Sequence, residues 1–185
     1  MHIGHINLAK SFNGTGEHFV ALVEALDRQG IRQHIVVRNK ALAGRLSIYK
    51  GVSMGPVTGS PVLAYCLMPQ VDVVHAHNEK SAQAGLLLAL TRSIPFVLTR
   101  RCSIHPNGHS LLRSIYARAA AVICTTNAGA KSIAHSDSFV QLHVVNDIAR
   151  AASPDIEVLA NKVAAENLRI YHRAIDTVNI PALLL

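Results

Sequence analysis

The order of hydrophobic and polar positions along the chain follows two periods. Short apolar runs rich in valine and isoleucine alternate with longer segments whose apolar positions recur at helical spacing. This alternation is typical of β-α units around a parallel sheet that is buried on both faces. The pattern predicts strands at residues 2–8, 33–38, 52–56, 72–76, 95–99, 121–125 and 141–145. The predicted fold class is therefore α/β, a Rossmann-like three-layer parallel sheet of about seven strands.

The clearest β-α-β unit stands at the start of the chain. Its predicted helix places four apolar residues at positions i, i+3, i+4 and i+7, and Gly30 supplies a stop. The four residues are Phe19, Leu22, Val23 and Leu26. Further helices are predicted at residues 42–49, 61–67, 80–91, 110–119 and 128–134.

A long helix is predicted near the end of the chain, at residues 156–175. Ser153 and Pro154 form a good N-cap and first helical residue for it. Five residues approximate one apolar stripe along the helix, namely Leu159, Val163, Leu168, Tyr171 and Ile175. The stripe predicts that this helix docks on the body of the domain.

Composition supports one globular unit without a membrane span. The chain has 185 residues, of which 50% are hydrophobic and 16% charged. Its apolar runs are shorter than the roughly 20 residues that cross a bilayer, and the N-terminus lacks a signal-peptide pattern. Three cysteines without paired spacing indicate reduced thiols, with Cys124 as a small core residue. A cytoplasmic protein is expected.

The charge balance narrows the choice of partners. A net charge of +7 and an isoelectric point of about 9.7 favour anionic ligands, such as nucleotide sugars, phosphorylated lipids or an anionic membrane surface. Nucleic acid is not expected, because aromatic residues make up only 4% of the chain and tryptophan is absent.

In a parallel α/β sheet, ligands bind beyond the carboxyl ends of the strands, so the loops there are the ones to inspect. After the first predicted strand, Gly14, Thr15 and Gly16 could let the backbone approach a phosphate or a sugar; equally, the glycines could only form a tight turn. The third glycine of a dinucleotide fingerprint is replaced by Phe19, and no P-loop sequence is present.

The fourth predicted strand ends in VDVVHAHNEK, which places His75 and His77 on one face with His77 at the strand tip. We interpret His77 as a hydrogen-bonding or acid-base group and His75 as a satisfied core histidine. No third ligand is recognisable nearby, so no metal site is expected. Asn78 and Glu79 follow in the same loop, and Glu79 suits the first turn of a helix.

Two further loops at this edge carry polar residues. Arg100, Arg101 and His105 follow the fifth strand, where the guanidinium groups could clamp a phosphate or could be a solvated basic loop. A Cys102 nucleophile with His105 as its base lacks a third, orienting group. Asn127 follows the sixth strand and completes the candidate ligand-binding set.

Four segments, in this order, resemble the N-terminal domain of family-four glycosyltransferases, which have the GT-B fold of two facing Rossmann-like domains. They are the Gly14 to Glu17 turn leading into ALVEALDRQG, DVVHAH at 72–77, IPFVLTRR at 94–101 and AAAVICTTNAGAKSI at 119–133. Each motif alone is weak, but the ordered set is specific. The turn reads GTGE, which departs from the more usual GGxE-like sequence of the family.

The resemblance also implies a domain organisation. Residues 1–148 correspond to the acceptor-side Rossmann-like domain, and residues 153–178 to the family's closing helix, which packs back on it. The donor-binding C-terminal domain that should stand between them is expected to be absent. An uncovered domain face would then be available for homodimer formation, and peripheral contact with the inner membrane surface is a further expectation.

The resemblance implies retaining transfer of a sugar from a nucleotide-sugar donor to an acceptor hydroxyl of a sugar or glycolipid, as in polysaccharide, lipopolysaccharide or glycolipid synthesis. It places the turn at Gly14 and Gly16 near the donor phosphates and His77 against the transferred sugar, without a cofactor or metal. Alone, the chain is expected to be inactive. Two alternatives are a non-catalytic module for an anionic ligand and a small nucleotide hydrolase, the latter disfavoured by the missing phosphate motifs.

Overall fold

The computed structural model describes residues 1–11, 14–101, 110–134, 141–145 and 156–179. Within them, the strands are β1 (His2–Asn7), β2 (Arg32–Val37), β3 (Val52–Met54), β4 (Val73–Ala76), β5 (Phe96–Arg100), β6 (Ala121–Cys124) and β7 (Leu142–Val144). The helices are α1 (Gly14–Arg28), α2 (Lys40–Leu46), α3 (Pro61–Leu67), α4 (Glu79–Arg92), α5 (Ser110–Arg118), α6 (Asn127–Ala134) and α7 (Ile156–Asn179). The predicted α/β class and its seven strands are confirmed.

The seven strands form one parallel sheet in the order β3-β2-β1-β4-β5-β6-β7. The chain builds outward from β1 through β2 to β3, then returns to the other side of β1 with β4. Crossover loops therefore diverge above the gap between β1 and β4, which is the topological switch point where ligands of such sheets bind.

Helices cover both faces of the sheet and give the three-layer arrangement. On one face, apolar residues of α1, α2 and α7 pack against the strands. On the other face, α3, α4, α5 and α6 bury the side chains that point the opposite way. Because successive side chains of a strand alternate between faces, every strand residue can be assigned to one of these two cores.

Most element boundaries agree with the sequence pattern, and the differences have local causes. Helix α2 begins at Lys40 instead of residue 42, because the Asn39 side chain accepts a hydrogen bond from the backbone N–H of Leu42 (3.0 Å) and caps the helix. Gly30, the predicted stop of α1, has a φ of +72°, a conformation that favours glycine. Strand β5 runs one residue further than predicted and includes Arg100.

The long last helix docks on the sheet as its apolar stripe predicts. Val163 and Tyr171 are fully buried, and the core that they share with α1 also takes in Leu159, Leu168 and Ile175. Ser153 and Pro154, the predicted start of this helix, lie outside the described residues. No helix in the part of the chain that the structure describes combines the length and apolar character of a bilayer-crossing segment.

Candidate functional site

Three histidines lie on the two strands that flank the switch point. His5 belongs to β1 and pairs in register with His75 of β4, while His77 follows β4 directly and its backbone N–H bonds to Ile6 (2.9 Å). All three side chains point to the face covered by α1 and α7. The parallel register thus brings residues from distant parts of the chain to one point at the carboxyl edge.

The three imidazole rings form one buried cluster, which we call the histidine cluster (His5, His75 and His77). The exposed fractions are 0%, 1% and 3%, respectively. Nδ1 of His5 lies 3.1 Å from Nε2 of His77, and the rings of His75 and His77 have centroids 4.0 Å apart. The predicted common face of His75 and His77 is confirmed, and His5 joins them.

His75 has hydrogen-bond partners at both ring nitrogens. Nδ1 lies 2.6 Å from the Tyr171 hydroxyl on α7, and Nε2 lies 2.6 Å from Oγ1 of Thr99 on β5. Tyr171 is also 3.3 Å from the side-chain oxygen of Asn167 one helical turn earlier. The interpretation of His75 as a satisfied core histidine is confirmed, and through it the last helix is tied to the strand that carries His77.

Burial keeps the histidine cluster uncharged near neutral pH. Desolvation lowers the pKa of His5 from 6.5 to about 3. The pKa values of His75 and His77 are held well below 6.5 by burial first and by neighbouring positive charges second. For His77 the neighbouring group that is charged at neutral pH is Arg101, so an anion at this edge would meet a guanidinium group.

Helix α1 covers the histidine cluster on its face of the sheet. The Phe19 ring lies 4.2 Å from that of His77, centroid to centroid, and 5.6 Å from that of His5. His18, on the same helix, is 5% exposed. With His77 only 3% exposed, a sugar could touch it only after the side chains that cover it, the Phe19 ring among its neighbours, have moved.

Gly14, Thr15 and Gly16 belong to the first turn of α1, whereas the sequence predicts a loop that leads into the helix. Gly16 is buried and Glu17 is exposed. The first N–H groups of a helix have no partner within the helix, so this turn presents donors at its N-terminal end. The glycines therefore act as part of a helix N-terminus.

Asn78 and Glu79 start α4 beside the cluster. The Asn78 side chain accepts a hydrogen bond from the backbone N–H of Ser81 (2.9 Å) and donates one to Oδ1 of Asn7 (3.1 Å). Its amide is thus engaged in capping α4 and joining it to β1. Glu79 occupies the first turn, as predicted, and its carboxylate lies 3.8 Å from the Arg100 guanidinium.

Arg100 and Arg101 lie on opposite faces of the sheet, whereas the sequence predicts both in one phosphate-clamping loop after β5. Arg100 is the last residue of β5, is 6% exposed and donates a hydrogen bond to the Tyr116 hydroxyl on α5. Arg101 acts instead on the charges of His75 and His77, on the opposite face. Adjacent strand residues point to opposite faces, so the two guanidinium groups do not converge.

One further predicted residue lies at the same edge. Asn127 is the exposed first residue of α6. Thr126 caps that helix, because its hydroxyl accepts a hydrogen bond from the N–H of Gly129 (3.1 Å). His105 and Cys102 lie outside the described residues. Cys124 is buried in the core, as expected, and burial raises the pKa of its thiol.

Sequence reasoning missed His5, Thr99 and Tyr171. His5 stands at a buried position of β1, and a polar residue at such a position is the kind of signal that could have found it. Its proximity to His75 depends on β1 and β4 being neighbours in the sheet, which the order of segments does not reveal. The sequence predicts Tyr171 as an apolar position of a helical stripe, and the residue does belong to that stripe. Its hydroxyl also makes a polar contact with His75, which the stripe does not indicate.

Two surface clefts lie elsewhere, between β7 and the last helix. They are lined by residues such as His143, Leu142, Arg169 and Arg173 and contain none of the predicted site residues. Because both are open to solvent along an edge strand, we assign the site to the switch point and not to these clefts.

Comparisons with known proteins identify the family and the fold. Residues 12–146 match the sequence profile described as Glycosyltransferase Family 4. HepE of Anabaena in complex with UDP superposes with a TM-score of 0.62 at 15% identity, covering 90% of this chain and 51% of HepE. HepE in complex with UDP and glucose gives 0.62 at 16% identity, covering 80% of this chain and 44% of HepE. The chain thus spans about half the length of HepE, and no curated protein sequence matches it significantly.

Proposed function

The chain belongs to glycosyltransferase family 4, and from this we propose that it is the acceptor-side domain of a retaining glycosyltransferase. The proposed reaction transfers a sugar from a nucleotide-sugar donor to the hydroxyl of a sugar or glycolipid acceptor. The observation that carries the proposal is the cluster of basic side chains at the switch point, including His77 and Arg101, in a fold shared with HepE, whose structure holds UDP.

Each group at this edge has a role that its chemistry suits. The N-terminal turn of α1, from Gly14 to Gly16, directs backbone N–H groups and the positive end of the helix dipole toward a phosphate. Arg101 adds a positive charge that would stabilise the leaving diphosphate. His77 would contact the transferred sugar once the Phe19 ring has moved aside.

The chain alone is proposed to be catalytically incomplete. In this account residues 1–148 form half of the donor site, residues 153–178 form the closing helix, and the donor-binding half is missing. Incubation with UDP-glucose should then give neither hydrolysis nor transfer above the uncatalysed rate. Efficient turnover by the isolated chain would refute the proposed incompleteness.

A binding experiment tests the site itself. UDP-glucose is a suitable probe because it carries the kind of sugar that His77 is proposed to contact, and we expect weak binding that is reduced about tenfold in His77→Ala, the effect of one lost polar contact. His143→Ala, in the β7 clefts, is the matched control and should leave the affinity unchanged. Equal affinities in wild type and His77→Ala would contradict the assignment of His77.

A second function, a non-catalytic module for anionic ligands, is favoured by the basic charges around His77. In that case inorganic pyrophosphate should bind as tightly as UDP. Binding should then survive His77→Ala and be lost in Arg101→Ala. The glycosyltransferase proposal requires UDP to bind more tightly than pyrophosphate.

A further inference from the structure

Three imidazoles from two adjacent strands converge at the switch point, and we propose that His5, His75 and His77 form a binding site for a transition-metal ion, with Zn²⁺ as the best match. One ring nitrogen of each histidine lies within 4.8 Å of the others. Imidazole is a preferred ligand of Zn²⁺, Cu²⁺ and Ni²⁺, whereas Mg²⁺ and Ca²⁺ prefer oxygen. The site does not depend on the proposed glycosyltransferase function.

The nitrogen separations suit a tetrahedral ion after a small adjustment. At Zn–N distances of 2.0–2.1 Å, two ligand nitrogens are about 3.3 Å apart. Nδ1 of His5 and Nε2 of His77 are already 3.1 Å apart. The longest separation, up to 4.8 Å, would have to shorten by about 1.5 Å, so the His75 ring would have to turn and exchange one of its two hydroxyl contacts for the ion.

The surroundings of the cluster match the hydrogen bonds that metal-bound histidines make through their second nitrogen. His5 would bind through Nδ1, leaving the proton on Nε2. Within the described residues, Nε2 of His5 and Oε1 of Gln33 are both buried without a full hydrogen bond, although the two side chains face one another. A metal on Nδ1 would fix the tautomer that lets Nε2 donate to Gln33.

His75 has a similar arrangement. Each of its nitrogens now contacts a hydroxyl group, Tyr171 on one side and Thr99 on the other. Ligation would use one nitrogen and leave the other bonded to its hydroxyl. The expectation from sequence that no metal binds rested on the lack of a third ligand near His75 and His77, and His5 is that third ligand.

Three neutral imidazoles leave the fourth coordination position of the ion open, as in catalytic zinc sites. They also leave the charge of the ion uncompensated. Water or an anionic oxygen could occupy that position. Nδ1 of His77 would stay available for a ligand at the carboxyl edge, because the metal takes Nε2. A metal-loaded site is therefore compatible with ligand binding at the same edge.

The test uses the full chain, freed of metal by a chelator and then dialysed against Zn²⁺ or Co²⁺. We expect one tightly retained equivalent of Zn²⁺ and a visible Co²⁺ spectrum of a four-coordinate site. X-ray absorption at the zinc edge should show three imidazole nitrogens at about 2.0–2.1 Å. At a free Zn²⁺ concentration of about 100 times Kd, Tm should rise by about 5–10 °C.

Variants assign the ligands. His5→Gln and His77→Gln should each weaken Zn²⁺ binding more than about 100-fold, and Gln33→Leu about 10–100-fold. His34→Gln is the matched control, since His34 lies on the neighbouring strand but faces the opposite side of the sheet, and it should bind like the wild type.

Several results would overturn the proposal. These are substoichiometric binding by the wild type, a zinc spectrum with sulfur at about 2.3 Å or with fewer than three imidazoles, and unchanged affinity in both His5→Gln and His77→Gln. The spectrum of the wild type decides the question even if a variant fails to fold.

Discussion

At the scale of single residues, the Tyr171 hydroxyl makes the most consequential polar contact between the last helix and the sheet. It lies 2.6 Å from Nδ1 of His75, and both side chains are fully buried. Removing the hydroxyl would leave Nδ1 of His75 buried without this hydrogen-bond partner. A buried polar atom without a partner carries its full desolvation cost, so the loss of the contact destabilises the folded state.

Tyr171→Phe should therefore lower the free energy of unfolding by about 1–3 kcal/mol without removing any apolar contact. Tyr49→Phe is the control, because its hydroxyl bonds to Glu24 at 3.2 Å in a partly exposed place, and its effect should stay within about 0.5 kcal/mol. Urea denaturation of both variants measures the difference. Equal losses would show that the His75 contact has no special weight.

The histidine cluster also predicts how stability depends on pH. Burial lowers the pKa of His5 to about 3 and the pKa values of His75 and His77 well below 6.5, whereas in the unfolded chain they return to about 6.5. Below pH 6.5 the unfolded state therefore binds more protons than the folded state. Above pH 6.5 these histidines do not reduce the free energy of unfolding. As the pH drops below 6.5 toward the folded pKa values, the free energy of unfolding falls by about 1.4 kcal/mol per pH unit for each buried histidine.

Unfolding free energies measured from pH 7 to pH 5 in a chelating buffer test this. His77→Gln should reduce the slope by about one proton. A slope identical in the wild type and the variant would contradict the buried, uncharged state of His77.

At the scale of elements, the packing of α4 on β5 depends on a small residue. A Cβ at Gly85 would lie 2.8 Å from Cδ2 and 2.9 Å from Cγ of Phe96, closer than real contacts allow. Gly85→Ala should lower the free energy of unfolding by about 1–2 kcal/mol, because the overlap outweighs the gain in helix propensity.

Gly44 in α2 is the matched control for this substitution. A Cβ there meets no atom within 4 Å, so Gly44→Ala should raise stability by about 0.4–1 kcal/mol. Thermal or urea unfolding measures the expected decrease in stability for Gly85→Ala and the expected increase for Gly44→Ala. The packing account would be wrong if both substitutions stabilised the protein.

How far the sequence predicts these elements depends on what forms them. Among the described residues, the seven strands and helices α1, α4, α5, α6 and α7 could be placed from apolar runs and periodicity, whereas α2 and α3 could be placed only from the turn residues around them. The end of β5 was misplaced, since Arg100 is a charged residue that the strand buries through contacts with Tyr116 and Glu79. No pattern within β5 shows those partners, which come from α5 and α4.

The candidate site was only half predictable for a related reason. His77 could be singled out because it follows an apolar run at a strand end, a purely local signal. His5 and Tyr171 could not, because their contacts with His75 span 70 and 96 positions of chain and depend on the strand order and on where the last helix docks. Local periodicity shows neither the strand order nor the position at which the last helix docks.

At the scale of the whole molecule, a parallel sheet with its switch point between β1 and β4 concentrates basic groups at one edge. His77, Arg101 and His18 lie there together with the first turn of α1. The net charge of +7 draws anions toward the molecule in general, and this edge combines the positive charge of Arg101 with a helix N-terminus and the switch point. The account therefore rests on where a nucleotide binds.

The most direct test is an NMR titration of the ¹⁵N-labelled chain with UDP, followed residue by residue. The account predicts that amide shifts change around Gly16 to Phe19, His77 to Ser81 and Arg101, while residues at the amino ends of the strands are unaffected. Shift changes confined to the clefts between β7 and α7, or no changes at millimolar UDP, would contradict it.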